Sequence, residues 1–72
     1  MKKIKKIEIK VNGKFKQVAE NYKISDLVKD LKIPLKKVAI ELNQEIIDKK
    51  KISKIILKKD DKIEIVHFIG GG

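Results

Sequence analysis

Apolar and charged residues alternate along residues 4–11. Ile7, Ile9 and Val11 fall on one side, and Glu8 and Lys10 fall on the other. This period of two predicts a half-buried strand. Asn12-Gly13 follows, a strong short hairpin signal, and residues 14–18 read as the return strand with Phe15 as its anchor. The period then changes. Ile24, Leu27, Val28 and Leu31 stand at i, i+3, i+4 and i+7, one apolar stripe of a helix. Ser25 is the expected N-cap, Asp26 suits the positive end of the dipole, and Pro34 is the expected stop. Val38, Ile40 and Leu42 share a face of a third strand, Asn43-Gln44 turns the chain, and Glu45-Ile46-Ile47 returns briefly. Residues 48–59 fit neither period and read as an irregular connection with a helical turn. A turn over residues 59–62 leads into a last strand ending at Phe68. The expected core is Ile7, Ile9, Phe15, Leu27, Val28, Leu31, Val38, Ile40, Ile63 and Ile65.

The order hairpin, helix, strand, short strand, crossover, strand predicts an α+β domain. It is a mixed four- or five-stranded sheet with one main helix packed on one face. That order is the one found in the ubiquitin-like β-grasp, where the last strand lies mid-sheet beside the first. A consequence concerns the last strand. If Ile63 and Ile65 face the helix, then Glu64, Val66 and Phe68 face the other way, where no helix covers them. Val66 and Phe68, with Ile69 beyond them, are the expected partner-binding residues. The competing expectation is that residues 48–59 cover this face.

The strand runs into Gly70-Gly71-Gly72. Residues 1–68 are read as the domain and residues 69–72 as a glycine-rich tail. Glycines bury no side chain and lose the most backbone freedom when fixed, so they add little to a core. They suit a thin segment that threads a narrow channel. The expected working group is therefore the carboxylate of Gly72, with Gly70 and Gly71 as the channel residues.

Composition narrows the alternatives. The chain has 72 residues, a net charge of +9, no Arg and no Cys. It is read as one domain. Lacking Cys, it has neither disulfides nor thiolate metal ligands, and any sulfur it handles must be carried on another group. The Lys excess fits a nucleic-acid surface or, more simply, compositional bias. Nucleic acid is disfavoured because Arg, which supplies bidentate contacts, is missing, and only Phe15, Tyr22 and Phe68 could stack on bases. His67 is the single His and has no companion ligand, so no metal site is expected. No phosphate-binding loop and no Ser/His/Asp nucleophile is present. No apolar run approaches the roughly 18 residues of a membrane helix. The basic start, Met1-Lys2-Lys3-Ile4-Lys5-Lys6, alternates instead of opening an apolar signal region. A cytoplasmic protein with no active site and no bound cofactor is expected.

The ending Ile63-Glu64-Ile65-Val66-His67-Phe68-Ile69-Gly70-Gly71-Gly72 resembles that of the thiamine-biosynthesis sulfur carriers, the ThiS family. So does the stretch Val38-Ala39-Ile40-Glu41-Leu42-Asn43-Gln44-Glu45-Ile46-Ile47. Two turns depart from the family pattern. Asn43-Gln44 stands where Asn-Gly is frequent, and Lys59-Asp60-Asp61 where Asp-Gly-Asp is frequent. The resemblance implies a cycle of three partners. An E1-like, ThiF-type adenylyltransferase uses ATP to adenylate the Gly72 carboxylate. A persulfide donor then supplies sulfur, giving a thiocarboxylate, and a ThiG-type thiazole synthase takes that sulfur. Three alternatives stay open: a molybdopterin-synthase small subunit, a ubiquitin-like protein modifier, and a small basic RNA-binding module.

Overall fold

The computed structural model describes residues 5–68. The expected positions Ile69, Gly70, Gly71 and Gly72 lie outside the described residues. Strand β1 (Lys6–Val11) and β2 (Lys14–Ala19) form the opening hairpin. Its two turn residues, Asn12 and Gly13, have φ of 49° and 81°, the left-handed pair that a two-residue hairpin with right-handed strand twist requires. Helix α1 (Ile24–Asp30) follows. Then come a short 3-10 turn (Leu35–Lys37), β3 (Val38–Leu42), β4 (Glu45–Ile46), a second 3-10 segment (Lys49–Lys54) and β5 (Lys62–His67).

The sheet has five strands in the order β2-β1-β5-β3-β4. β5 runs parallel to β1 and antiparallel to β3, so the last strand is central, as the β-grasp reading requires. Helix α1 packs on one face. Ile9, Val18, Ile24, Leu27, Val38, Ile40, Ile52, Leu57 and Ile63 form the buried core, and Ile7, Val28 and Ile65 pack against it half-buried. The 3-10 segment after Asp48 contributes Ile52 and lies against α1. Its Ile52 therefore fills the helix side, while Lys49 at its start reaches the Phe68 ring.

Four local expectations are corrected. Phe15 is 70% exposed. It pairs with Lys10, while the buried Ile9 pairs with Lys16 and Ile7 with Val18. The core-facing residue of β2 is thus Val18, and Phe15 stands on the outer face beneath the Lys10 ammonium, 5.1 Å from its ring centre. Leu31 is 43% exposed because the helix has ended by then. Ser25 is inside the helix, not at its start. Lys23 is the N-cap, and the Asp26 carboxylate accepts from the Lys23 N–H at 2.9 Å, satisfying a donor that the helix leaves orphaned. Pro34 does not make the stop. Ile33 N–H donates to Val28 C=O at 3.0 Å and Lys32 N–H to Lys29 C=O at 3.2 Å, with Lys32 at φ 53°. That is a Schellman cap, with Lys in the seat that Gly usually takes.

Candidate functional site

The strand that leads to the tail is held on both sides. Toward β3, the pairs Val38–His67, Ala39–Val66, Ile40–Ile65, Glu41–Glu64 and Leu42–Ile63 are in register. The ladder extends one residue further, where Phe68 N–H donates to Lys37 C=O at 2.9 Å. Toward β1, Lys10 N–H donates to Asp61 C=O and Asn12 N–H to Ile63 C=O, both at 2.9 Å. Beyond that point the Asn12 side chain takes over. Its Oδ1 accepts from Ile65 N–H at 2.7 Å, and its Nδ2 donates to Ile65 C=O at 3.4 Å. The second hairpin adds a similar clasp at the start of the strand. Asn43 Oδ1 accepts from Lys62 N–H at 2.9 Å, and Asn43 Nδ2 donates to Asp61 Oδ1 at 3.0 Å.

This register settles which face each residue takes. Ile63 is buried toward the helix and Ile65 half-buried, so Val66 and Phe68 turn to the open face, each 50% exposed. The Lys49 ammonium lies 5.1 Å from the Phe68 ring centre, a favourable cation–π placement worth about 0.5–1 kcal/mol at an exposed site. Two further residues join them. Ala39 is the in-register partner of Val66. Ile46 pairs with Glu41 and, at 76% exposure, is the most exposed large apolar side chain among the described residues. Sequence reasoning missed Ile46 as a surface residue. The signal was available: a two-residue turn at Asn43-Gln44 puts Ile46 opposite Glu41, already assigned to the outer face. Glu41 and Glu64 face each other on that same surface, like charges in register, between the apolar group and the Lys10 and Lys62 side chains. Among the described residues no His/Cys/Asp/Glu group is arranged to hold a metal ion, and no helix is long and apolar enough to cross a membrane.

Comparison with known proteins fits this geometry. The ThiS family matches over residues 9–72. The sulfur carrier protein ThiS of Bacillus subtilis is 40% identical over 65 residues, which covers 89% of this chain and 98% of that protein. The crystal structure of the thiamine biosynthesis protein ThiS from Geobacter metallireducens superposes with a TM-score of 0.80 at 32% identity, over 92% of this chain and all of that one. A thiazole synthase of Paramagnetospirillum magneticum is 33% identical over 66 residues, 92% of this chain but only 20% of the longer protein. The chain thus spans about a fifth of that relative's length. The central β5, the five-stranded mixed sheet with its single main helix, and these matches over nearly the whole chain place it in the ThiS family, the β-grasp sulfur carriers of thiamine biosynthesis.

Proposed function

We propose that the working group of this carrier is the carboxylate of Gly72 and that the open face around Val66 and Phe68 docks its partners, with Ile69, the next residue in the sequence, taking part. The observation that carries the reading is the position of β5. The strand is clasped by β1, β3, Asn12 and Asn43, and its last described residues carry the half-exposed Val66 and Phe68.

The chemistry follows from the group. A terminal carboxylate with a pKa near 3.3–3.7 is an anion at neutral pH and a poor electrophile. A ThiF-type adenylyltransferase joins it to the α-phosphorus of ATP and releases pyrophosphate. The terminal sulfur of a persulfide then attacks the acyl carbon, and AMP leaves. Attack of a thiol on the persulfide's own S–S bond then frees the thiocarboxylate, and the donor ends as a disulfide. A ThiG-type thiazole synthase is the acceptor. The match to a longer chain named for that enzyme supports this choice, since a carrier-like stretch there belongs to the same polypeptide. The four residues from Ile69 to Gly72 reach roughly 13 Å when extended, enough to enter a buried site while the domain stays outside it. The protein acts as a co-substrate and needs no cofactor of its own, and its cycle is placed in the cytoplasm.

Intact-mass measurement tests the reading. After reaction with the adenylyltransferase, ATP and a persulfide donor, the mass should rise by the difference between one sulfur and one oxygen. An unchanged mass alongside a working donor system refutes it.

A further inference from the structure

Among the described residues, β2 closes one side of the sheet, with β1 beside it and no strand beyond. Glu20 N–H donates to Lys5 C=O at 2.8 Å, so Lys5 and Glu20 form a hydrogen-bonded pair. Antiparallel pairs alternate between bonded and non-bonded. Ile7–Val18, Ile9–Lys16 and Val11–Lys14 are therefore bonded pairs, and Phe15 and Gln17 turn their N–H and C=O groups away from β1. Among the described residues, none of those groups has a backbone partner. The side chains divide about the same edge. Lys14 and Lys16 lie on the helix side, opposite Val11 and the buried Ile9, while Phe15 stands exposed on the other side. A groove of about 420 Å³ lies here, lined by Val11, Asn12, Lys14, Phe15, Lys16 and Leu31. The lining holds apolar side chains and two ammonium groups but no carboxylate.

We propose that the outer edge of β2 takes an extended acidic segment of a partner protein as an added strand, one in which carboxylate and apolar side chains alternate. The site goes beyond the Gly72 reading and does not rest on it, since β1 stands between β2 and β5. Charge and period select this occupant. A strand laid on β2 places every second side chain beside Lys14 and Lys16, where a carboxylate is attracted. The side chains between them fall beside Phe15, where an apolar residue packs. Backbone pairing gives affinity, and the alternate side chains give specificity. A second copy of this chain fits poorly. Two β2 edges laid together bring lysines against lysines, and each copy carries a net charge of +9. The half-buried Lys16 points inward, and an inward-pointing charge on an edge strand opposes such self-pairing. The same lysines leave the edge open to a strand of opposite charge.

The probe is a short blocked peptide of alternating Glu and Val, titrated into the protein and followed by NMR, with a Lys/Val peptide as its counterpart. Amide exchange reads strand addition directly. The Phe15 and Gln17 amides should exchange quickly in the free protein and about tenfold more slowly with the Glu/Val peptide at a few millimolar. The Lys16 and Val18 amides, paired to β1, should be slow throughout. The Lys/Val peptide should protect neither pair further. Charge reversal then tests the lysines. Lys14→Glu combined with Lys16→Glu should weaken the Glu/Val peptide at least about tenfold and admit the Lys/Val peptide instead. Exchange on the unmodified protein stands whether or not that double variant folds. Phe15 and Gln17 amides that stay fast at that peptide concentration overturn the proposal, and so does equal binding of the two peptides. Tighter binding of an oligouridylate at Lys14 and Lys16, with both amides left fast, assigns the lysines to nucleic acid and overturns it as well.

Discussion

The Asn12 carboxamide closes on the backbone of Ile65, fifty-three positions away, accepting its N–H at 2.7 Å and reaching its C=O at 3.4 Å. It stands in for the peptide unit that β1 would have supplied had the chain not turned. The same residue holds φ 49°, which Asn tolerates better than most side chains. Asn12→Ala loses both properties. It should destabilise the fold by about 2–3 kcal/mol, from roughly 1–2 for the left-handed backbone and about 1 for the hydrogen bonds. Asn12→Asp keeps the acceptor and the turn preference, so it should cost less. Urea denaturation of the three proteins checks the order. Equal stability of Asn12→Ala and the parent protein would remove Asn12 as the clasp.

The two turns that depart from the family pattern keep the geometry that glycine would have supplied. Gln44 has φ 73° and Asp60 has φ 68°. A side chain in the left-handed region costs roughly 1–2 kcal/mol, partly offset because glycine loses more freedom on folding. Gln44→Gly and Asp60→Gly should therefore each stabilise the domain by about 0.5–1 kcal/mol, read as a higher urea midpoint at unchanged slope. Destabilisation by either substitution would mean that the side chain supports its turn in a way the hydrogen bonds do not reveal.

Leu27 and Phe15 show where the pattern of the chain was a sufficient guide and where it was not. The stripe Ile24-Leu27-Val28 lies within a single helix, so one local period fixed its inward face, and Leu27 is fully buried. The face of β2 depends on a pairing register instead, and shifting that register by one residue exchanges Phe15 for a neighbour. The aromatic side chain drew attention away from Val18, the residue that faces the core. Ile52 and Leu57 fit no period because 3-10 and irregular backbone impose none. The outer face of Val66 and Phe68 was legible because alternation from Ile63 onward sufficed. Leu27→Ala should cost about 2–5 kcal/mol, whereas Phe15→Ser, at an exposed site, should change stability by about 0.5 kcal/mol or less. Thermal or urea unfolding of the pair checks the contrast, and comparable losses would return Phe15 to the core.

Tyr22 is the single tyrosine, and the chain has no Trp, so phenolate absorbance reports this one group. Burial raises its pKa well above the ordinary value of 10.0, and the hydrogen bond to Asp30 and the charge of that carboxylate raise it further. The hydroxyl donates to Asp30 Oδ2. A folded state that holds its proton more tightly than the unfolded chain is favoured below the unfolded pKa. Above about pH 10 the unfolded chain releases that proton first, and the stability contributed by the pair falls as pH rises. The absorbance titration should therefore lag that of the urea-unfolded chain. Asp30→Asn should recover only part of the lag, since desolvation is the larger cause. Coincident titrations of folded and unfolded protein would show that the phenol is solvated.

Under the proposed docking reading, Phe68 is the residue at which stability and partner binding separate. It is 50% exposed and outside the core cluster, and its backbone N–H, not its ring, makes the bond to Lys37. Phe68→Asp should lower stability by no more than about 1 kcal/mol, the scale of the lost Lys49 contact. In the docked state the same substitution buries a carboxylate where a ring had been, and an interface anchor lost in this way costs 2 kcal/mol or more, about thirtyfold in Kd. The Lys surface contributes differently. Under the same reading, a net charge of +9 would steer encounter with a partner of opposite charge through forces screened within roughly 10 Å at 0.1 M salt. Added salt should therefore lower the association rate for the parent protein and for Phe68→Asp by similar factors, while the variant's deficit persists as faster dissociation. Stopped-flow association and dissociation rates with the adenylyltransferase separate the two effects. A variant whose deficit disappears at high salt would show that its added negative charge, and not the missing ring, weakened docking.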